Sequence, residues 1–592
     1  MARLSVLALC VLAPAAALGC SGGGSNAVKV VVPDALPTFV EMGTAAGFID
    51  SQGPRNDQSD CLFSKSNLAA GFPDLKEAGV ASGLRFNQCA PERLSSGAAA
   101  VDVDGDGLDD VVFTRIDGSP KLYRNESKPG EPRFVDATEG SGFDTIADAT
   151  NGVAFADVDN DGDQDVAISS LAGPAFHLMI NDGTGVFVDE AADRGVAMND
   201  GQPHAGMGVS FGDYDLDGWV DMHTTEWQSS IVAKIGVPSH SKLFRNLGAA
   251  GNPGVFEDVT EAAGVRVDSV VDTTWTFSSS FTDFDGDRFP DLAVVADFNT
   301  TKLFWNNGDG TFTNTTYESN LGGEENGMGL TVGFRDADQR PALFISSIKS
   351  LADCTDDTGV IGTGNRLYAM GKDRMFDDVT DLAGVRDGGW GWGASFIDAT
   401  NTGATDLVQA SGVDEPWSQP SGCHAADPIV YWRNDGTDVY DEVAKKVGVV
   451  ETKPTKAVVV FDADADGRSD LLVTRDAETP LFFHNTTPVV GHRLDLRVRG
   501  TKSNRNALGA IVSVTEAEGG PVKKYFVGST GTFLAQDSNL LRIGLGGEAE
   551  PVHRVEVYFP ATERTVVLTD VKRNSTIEVV EPDDAAAQGA GS

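Results

Sequence analysis

Cysteine is scarce: six residues in 592, with Cys10 and Cys20 inside or just after the apolar N-terminal segment. No Cys-x-x-Cys pair and no paired-histidine spacing occurs, so zinc binding through the usual donors has no support. Positive charge is also short. Lys and Arg total 45 against 88 Asp and Glu, a formal net charge of −43. A nucleic-acid partner is excluded on that ground, because phosphates are neutralised by Lys and Arg. After Leu18 no apolar run has the length of a membrane span. His-Glu-x-x-His and the phosphate-binding glycine loop are absent, and no enzyme activity is expected.

What the chain has instead is aspartate at fixed spacing. "DVDGDGLDD" begins at Asp102, "DVDNDGDQD" at Asp157, "DYDLDGWVD" at Asp213, "DFDGDRFPD" at Asp283 and "DADADGRSD" at Asp462. Places 1, 3, 5 and 9 are always Asp: Asp102, Asp104, Asp106 and Asp110; Asp157, Asp159, Asp161 and Asp165; Asp213, Asp215, Asp217 and Asp221; Asp283, Asp285, Asp287 and Asp291; Asp462, Asp464, Asp466 and Asp470. Carboxylates this close repel by roughly 1 kcal/mol per pair at ~4 Å even in water, so a cation is expected among them. Ca²⁺ takes six to eight oxygens at about 2.3–2.6 Å. Three alternating Asp side chains, the place-7 carbonyl and the place-9 Asp supply such a cage. Four of the five turns have Gly at place 6, where a sharp turn favours a residue without Cβ. Only a carbonyl is needed at place 7, so its side chain varies: Leu108, Asp163, Trp219, Phe289 and Arg468. An EF-hand is excluded, since place 12 is Phe113, Ile168, Thr224, Val294 or Val473 instead of Glu. The flanks read as strands, "GAAAV" before the first turn and "VVFTR" after it. About five Ca²⁺ sites are expected, with Mg²⁺ disfavoured by its demand for a small octahedral shell.

Two degenerate copies complete the series. "DATNTGATD" at Asp398 keeps Asp398 and Asp406 as weak ligands, and "FRDADQRPA" at Phe334 keeps only Asp336 and Asp338. An aromatic residue recurs between the turns: Phe39, Phe134, Phe187, Phe256, Phe312, Phe376 and Tyr440. Eight residues later stands Gly, or Asn320 in the fifth copy. Segments such as "KLYRN", "KLFRN" and "VYWRN" lie between the two signatures. Four strands in about sixty residues, repeated seven times, predict an all-β, seven-bladed β-propeller. The first aromatic segment precedes the first turn and the last turn has none of its own, so the strand near Phe39 is expected to close the ring.

The N-terminus reads as a targeting segment. Arg3 is followed by the apolar run Leu4–Leu18 and by "GCSGGGSN". This resembles a bacterial lipoprotein signal: residues 1–19 are removed, Cys20 is lipidated, and residues 20–33 form a flexible tether. Ala17 and Leu18 reverse the usual lipobox order, and ordinary cleavage to a secreted protein is the alternative. Ser21 resembles outer-membrane sorting, with the chain facing the periplasm or the cell surface, and the lipid is the only expected membrane contact. In an exported chain the even set Cys61, Cys89, Cys354 and Cys423 favours two disulfides. Three pairings are possible; Cys61–Cys89 with Cys354–Cys423 is favoured.

Residues 34–487 are therefore assigned to the propeller, with an insertion at 49–96. Residues 488–581 form a nearly neutral module whose segments alternate apolar and polar, as half-buried strands do, and are read as a small sandwich-like all-β domain. Residues 582–592 are read as a disordered tail. The repeats resemble FG-GAP/VCBS repeats, similar to those of integrin α-chains. "NRNALGAIVSV" (Asn504–Val514), "GSTGTFLAQDSNLLRIGLG" (Gly528–Gly546) and "VHRVEVYFP" (Val552–Pro560) resemble the ASPIC/UnbV domain. The chain departs from that pattern at Ala535, Tyr558 and the "PAT" segment. The combination resembles the cartilage acidic protein type of architecture. That resemblance implies an extracellular calcium-binding protein with adhesive or binding roles.

The long insertions 49–96, 227–241, 349–364 and 412–428 are expected on the face opposite the turns. Trp227, His240, Trp417 and His424, with Trp390 and Trp392 of "GWGWG", are candidates for a ligand face there, although close packing of inner strands also explains the glycine-rich motif. The expected function is recognition of a protein or glycan partner. A sugar-specific lectin is the first alternative, and a propeller hydrolase or oxidoreductase the second.

Overall fold

The computed structural model of the chain describes residues 36–51, 53, 90–199, 203–227, 241–267, 274–350, 362–413, 424–488, 490–528, 533–547 and 550–583. Between residues 39 and 485 the strands form seven sheets, each with four antiparallel strands from this region. The first strands are Ala98–Val101, Thr150–Ala156, Gly206–Gly212, Thr276–Thr282, Leu330–Phe334, Gly391–Ile397 and Thr455–Phe461. Each lies against the first strand of the next sheet, and the seventh lies against the first. The sheets are thus blades around one axis. Neighbours on both sides keep the first strands buried, which is why they read as "AAAV" or "TFSSSFT" and not as alternation. The outermost strands have three residues each, one buried aromatic and two others that are mostly exposed. Short acidic edges of this kind resist pairing with another chain. Phe39–Glu41 closes the ring by pairing with Leu481–Asn485.

Crowding at the axis explains the inner glycines. A Cβ on Gly152 would sit 2.0 Å from the Met207 carbonyl oxygen, and one on Gly393 would sit 2.8 Å from that of Lys456. In the fourth blade a serine takes this role, and Ser278 Oγ donates to the Met328 carbonyl at 2.8 Å.

Two recurrent contacts lock blade to blade. The first uses the Asn that ends each "RN" strand. Asn181 Nδ2 donates to Val103 O (2.9 Å), Asn246 to Val158 O (2.8 Å), Asn306 to Tyr214 O (2.8 Å) and Asn485 to Ala399 O (2.8 Å). Asn125 donates to Ala463 O at 2.8 Å, joining the first blade to the seventh. Each acceptor is the place-2 carbonyl of the preceding blade's turn. The second contact sets the residue eight after each aromatic on the carbonyl of the next blade's aromatic. A Cβ on Gly142 would lie 1.9 Å from Phe187 O, and one on Gly448 would lie 2.3 Å from Phe39 O. Both glycines have left-handed backbone, at φ +93° and +89°. Asn320 holds the same place in the fifth blade at φ +60°, and its Nδ2 donates to Phe376 O at 2.8 Å. Asn is the side chain best suited to that region.

The remaining strands form two sheets. His492–Arg499 lies between Leu541–Gly546 and Ser575–Val580. Val522–Phe526, Ile511–Thr515, Val552–Phe559 and Arg564–Val571 follow one another in the second sheet. Leu494, Leu496, Val512, Val555 and Phe559 belong to the core they share. This domain lies on the turn side of the ring: Asn506 Oδ1 accepts from Asp157 N (2.7 Å) and Arg505 N donates to Asn160 Oδ1 (2.9 Å). Ala535–Gln536 pairs parallel with Ala98–Ala99 as a fifth strand of the first blade. Just before it, Phe533 is fully buried between Phe277 and Trp392, with ring centroids 5.7 and 5.2 Å away. Burial of such a ring contributes about 1.5–3 kcal/mol.

Replacing Asn246 with Ala removes donors to Val158 O and Val220 O and the acceptor for Gly248 N and Gly254 N. Buried groups left unpaired cost about 1–3 kcal/mol each. Asn246→Ala is expected to lower the thermal midpoint clearly, whereas Asn320→Gly, which restores the residue found at the other six places, is expected to leave it nearly unchanged. Thermal unfolding followed by circular dichroism checks both.

Candidate metal centres

Each aspartate turn joins the first and second strands of its blade. Place 1 closes the turn: its Oδ2 accepts the place-6 N–H, at 2.9 Å from Gly107 to Asp102, 2.8 Å from Gly162 to Asp157 and 3.1 Å from Gly218 to Asp213. The same bond measures 2.9 Å from Arg288 to Asp283 and 2.8 Å from Gly467 to Asp462. Place 6 has positive φ throughout, including Arg288 at +81°, so that turn carries the strain its sequence forecasts. Place 5 accepts the place-7 N–H, as from Leu108 to Asp106 and from Phe289 to Asp287, both at 2.9 Å.

Place 9 does more than complete a cage. Its Oδ2 accepts the place-2 N–H, and its Oδ1 accepts the backbone N–H of the "RN" asparagine. For Asp221 these donors are Tyr214 (3.1 Å) and Asn246 (2.8 Å), and for Asp470 they are Ala463 (2.9 Å) and Asn485 (2.7 Å). Its carboxylate still faces the turn. Oxygens of Asp157, Asp159 and Asp165, of Asp213, Asp215 and Asp221, and of Asp283, Asp285 and Asp291 converge within 4.8 Å in each set. In the first turn the convergent set is Asp102, Asp104 and Asp106, and in the seventh it is Asp464, Asp470 and His484.

A protein cation already reaches into every intact turn, a feature the sequence reading did not anticipate. Arg124 meets Asp104 (2.6 Å) and Asp110 (3.1 Å), and Arg194 meets Asp159 (3.1 Å). Arg245 meets Asp215 (2.6 Å) and Asp217 (3.3 Å), and Arg374 meets Asp285 (2.6 Å) and Asp287 (3.2 Å). In the seventh turn Arg542 lies 3.0 Å from Asp462 and His484 lies 3.2 Å from Asp464. Arg124, Arg245 and His484 all stand one residue before the recurrent Asn, so the "RN" dipeptide carried this signal.

One guanidinium does not balance four carboxylates. Asp102 Oδ1, Asp159 Oδ1, Asp213 Oδ1 and Asp215 Oδ1 are buried without a hydrogen-bond donor among the described residues. Burial, joined by the neighbouring carboxylates, pushes Asp157 up to about 7 and Asp165 up to about 8. Burial likewise raises Asp283 to about 6 and lifts Asp213, Asp221 and Asp291 well above the usual carboxylate range. A hard-oxygen donor set, surplus negative charge and orphaned buried oxygens fit a divalent cation such as Ca²⁺.

The carboxylates of the degenerate turns take donors from the protein, although burial still pushes Asp336 and Asp406 up to about 7. Asp398 accepts Thr402 N (3.0 Å) and Gly403 N (2.6 Å), and Lys523 Nζ from the C-terminal domain donates to Gly403 O at 3.0 Å. Asp406 accepts Tyr431 Oη and Asn434 N, both at 2.8 Å. Gly491 N and Gly546 N donate to Thr400 O (2.8 Å) and Asn401 O (2.9 Å), so the C-terminal domain sits directly on the sixth turn. In the fifth blade Asp336 accepts Thr405 N and Asn434 Nδ2, both at 2.8 Å, and Asp338 pairs with Arg335 and Arg340.

The candidates for a ligand face are placed differently from their expectation. Trp392 is fully buried at the axis, its Nε1 donating to Gly412 O at 2.6 Å and its ring 3.7 Å from the Lys456 ammonium. Trp227 stacks on Phe277 and donates to Asp297 Oδ2 at 3.2 Å. Trp390 packs edge-on against His424, whose Nδ1 lies 2.7 Å from Asp427 Oδ2. All four are at least nine-tenths buried, because the inner strands leave them no path to solvent. None offers a ring for a ligand to stack on. His240, Trp417, Cys20, Cys61, Cys89, Cys354 and Cys423 lie outside the described residues. The sequence reading expects no Gly-x-Ser-x-Gly pentapeptide, yet two occur: Gly19–Gly23, outside the described residues, and Gly208–Gly212. The latter lies within an inner strand, not at a strand-to-helix turn. Ser210 Oγ meets Ser279 Oγ (2.7 Å), which meets His223 Nδ1 (2.9 Å). Burial lowers His223 to about 3, and no carboxylate orients it, so the set is not a catalytic triad.

Residues 102–168 and 283–345 match the FG-GAP-like repeat family, and residues 500–586 match the family described as ASPIC and UnbV. The chain thus carries FG-GAP-like repeats followed by an ASPIC/UnbV domain. It is 24% identical over 530 residues to cartilage acidic protein 1 from Mus musculus, covering 77% of this chain and 78% of that protein. Among solved structures, a lectin from Agrocybe aegerita, described as recognising non-reducing terminal N-acetylglucosamine, aligns at TM-score 0.37 and 16% identity. The alignment covers 66% of this chain and 94% of that one.

Carboxyls whose folded values are raised stabilise the metal-free fold while protonated, and that contribution is lost as pH rises through their folded values. In chelator the thermal midpoint is expected to fall from about pH 5 to about pH 8, and millimolar Ca²⁺ is expected to remove that fall. Calorimetric titration with Ca²⁺ in buffers of different ionisation enthalpy is expected to show proton release, larger near pH 6.5 than near pH 8.5. Absence of proton release at both values would contradict metal entry into these carboxylates.

Proposed function

We propose that the chain is an exported calcium-binding β-propeller that recognises a protein or glycan through the face opposite its aspartate turns. One observation carries this reading. The C-terminal domain lies on the turn side, while the insertions at 49–96, 227–241, 349–364 and 412–428 leave from the other ends of the strands. The turn side is then a structural base, and the opposite side is left for partners. The orphaned carboxylate oxygens and the FG-GAP-like repeats support calcium as the ion, bound in about five turns. Ca²⁺ binds the folded turns far better than an unfolded chain, so it stabilises the ring by mass action.

The N-terminal apolar segment and Cys20 support attachment to a bacterial outer membrane by lipid. No helix among the described residues is long and apolar enough to cross a membrane. The reading is of a binding protein and not an enzyme, since the buried carboxylates are engaged in closing turns and joining blades.

The test uses the mature chain. Asp104→Ala with Asp159→Ala is expected to lower the thermal midpoint only when Ca²⁺ is present; equal losses in chelator would refute the metal assignment. Replacing residues 228–240 and 414–422 with Gly-Ser linkers is expected to abolish retention of a partner in affinity capture or on a glycan array, with the calcium-dependent midpoint unchanged. Retention by the linker variant would refute the choice of face.

A further inference from the structure

The cavity of about 280 Å³ between the first two turns and the C-terminal domain has an unusual lining for a chain of net charge −43. Arg497, Arg499 and Arg505 gather there beside Gln164, in a lining that also holds Asp102, Asp109, Asp163 and Glu578. Two of the guanidinium groups converge on one turn: a Cβ on Gly162 would lie 3.3 Å from Arg499 Nη2 and 3.9 Å from Arg505 Nη2. Like charges brought together need an anion between them, and the protein supplies only distant ones. Arg497 stands 3.7 Å from Asp102 Oδ2, and Arg499 stands 3.5 Å from Glu578 Oε1, both too far for a strong charge-assisted hydrogen bond. Arg505 Nη1 reaches only Gly500 O, at 3.4 Å, and its Nε is buried with no partner among the described residues. Gln164 Oε1 accepts Asn506 Nδ2 (2.9 Å) and Asn539 Nδ2 (3.3 Å), which leaves its own N–H pair without a protein acceptor among the described residues.

We propose that this interdomain cleft binds a carboxylated sugar, a uronate residue of an acidic glycan. A carboxylate suits paired guanidinium groups, which grip it bidentately. The nearby carboxylates of Asp163 and Glu578 repel a doubly charged sulfate or phosphate more than a singly charged carboxylate, and as acceptors they favour a ligand that also offers hydroxyl donors. The volume lies near the lower limit of small-molecule sites and suits one or two sugar rings. The site is built from the second blade's turn and the C-terminal domain together, so neither part holds it alone. It is separate from the loop face proposed above.

The experiment uses the full mature chain in calcium-containing buffer, with digalacturonate as probe and neutral digalactoside and sodium sulfate as comparisons. Calorimetry is expected to register binding of digalacturonate and none of the neutral disaccharide, and Arg497→Gln with Arg499→Gln is expected to weaken binding at least about tenfold. Both side chains are well exposed, and an unchanged thermal midpoint verifies folding. Independently of any variant, digalacturonate is expected to protect Arg497 and Arg499 from phenylglyoxal, read by mass spectrometry. The linker variant lacking the opposite-face loops is expected to bind as the parent does, which separates this site from the one proposed above. No binding, binding unaffected by the double substitution, equal binding of the neutral disaccharide, or equally strong competition by sulfate would each overturn the assignment.

Discussion

The fold depends on one carboxylate in each of the five blades that keep the full frame, the Asp at place 9. It takes one N–H from the start of its own turn and one from the asparagine that ends the third strand. That asparagine then reaches the preceding blade through its side chain. Asp221 with Asn246, and Asp470 with Asn485, show the unit complete. A propeller has no sheet hydrogen bonds between blades, so the order of its ring rests on packing and on such side-chain links. Buried polar groups with every donor and acceptor matched specify one arrangement. Asn125 reaching Ala463 makes the first and seventh blades neighbours by the same rule as any other pair.

The same carboxylates put the turns under electrostatic load. Burial and mutual repulsion raise them, and the protein cations at each turn, one Arg in the third and as many as Arg468, Arg542 and His484 in the seventh, relieve only part of the excess. The degenerate blades show what relief without a metal requires. In the sixth, Thr400 and Thr402 replace two aspartates, the C-terminal domain supplies Lys523, and its glycines press against the turn backbone. In the fifth, Arg335 and Arg340 pair with Asp338, while hydrogen bonds from the sixth blade satisfy Asp336. Charge has been removed, or answered by the protein, in the two turns that depart from the frame. The five turns that keep four aspartates also meet protein cations, yet buried carboxylate oxygens without a donor among the described residues remain in the first three.

Much of this was legible in the sequence. The turn frame, the seven copies and the closing strand at Phe39 follow from local repetition, which reports what neighbours in one blade require. Contacts between blades were harder to read. The aromatic-to-glycine spacing was visible, yet its reason, a carbonyl of the next blade pressed against the glycine, belongs to tertiary structure. Asn320 looked like an exception and is the same device with a side chain that supplies its own donor. Trp227, Trp390 and Trp392 are candidates for a ligand face in the sequence because they fall in or beside segments expected on the face opposite the turns. Crowding at the axis instead makes them core, and the glycines beside Trp390 and Trp392 were the evidence for it. The arginines in the turns were missed because a guanidinium that lies outside the nine-residue frame, on another strand or another domain, leaves no trace within it.

The C-terminal domain is the part whose placement most changes the argument. Its strand Leu541–Gly546 and the loop before it contribute Phe533 to the axis, a fifth strand to the first blade and Asp537 to the mouth of the ring, where Val460 N donates to it at 2.6 Å. A ring of inner strands alone leaves a central opening lined by apolar side chains such as Phe277 and Met328. Water there would be held poorly and an empty channel would forfeit dispersion contacts. Filling the opening with Phe533 resolves both costs and fixes the domain in one rotational setting relative to seven similar blades. That setting brings Lys523 to the turn that keeps two of the four acids and Arg542 to one that keeps all four. The asymmetry of the aspartate turns and the docking of the second domain are therefore one design, in which the second domain supplies cations that the acidic ring would otherwise lack.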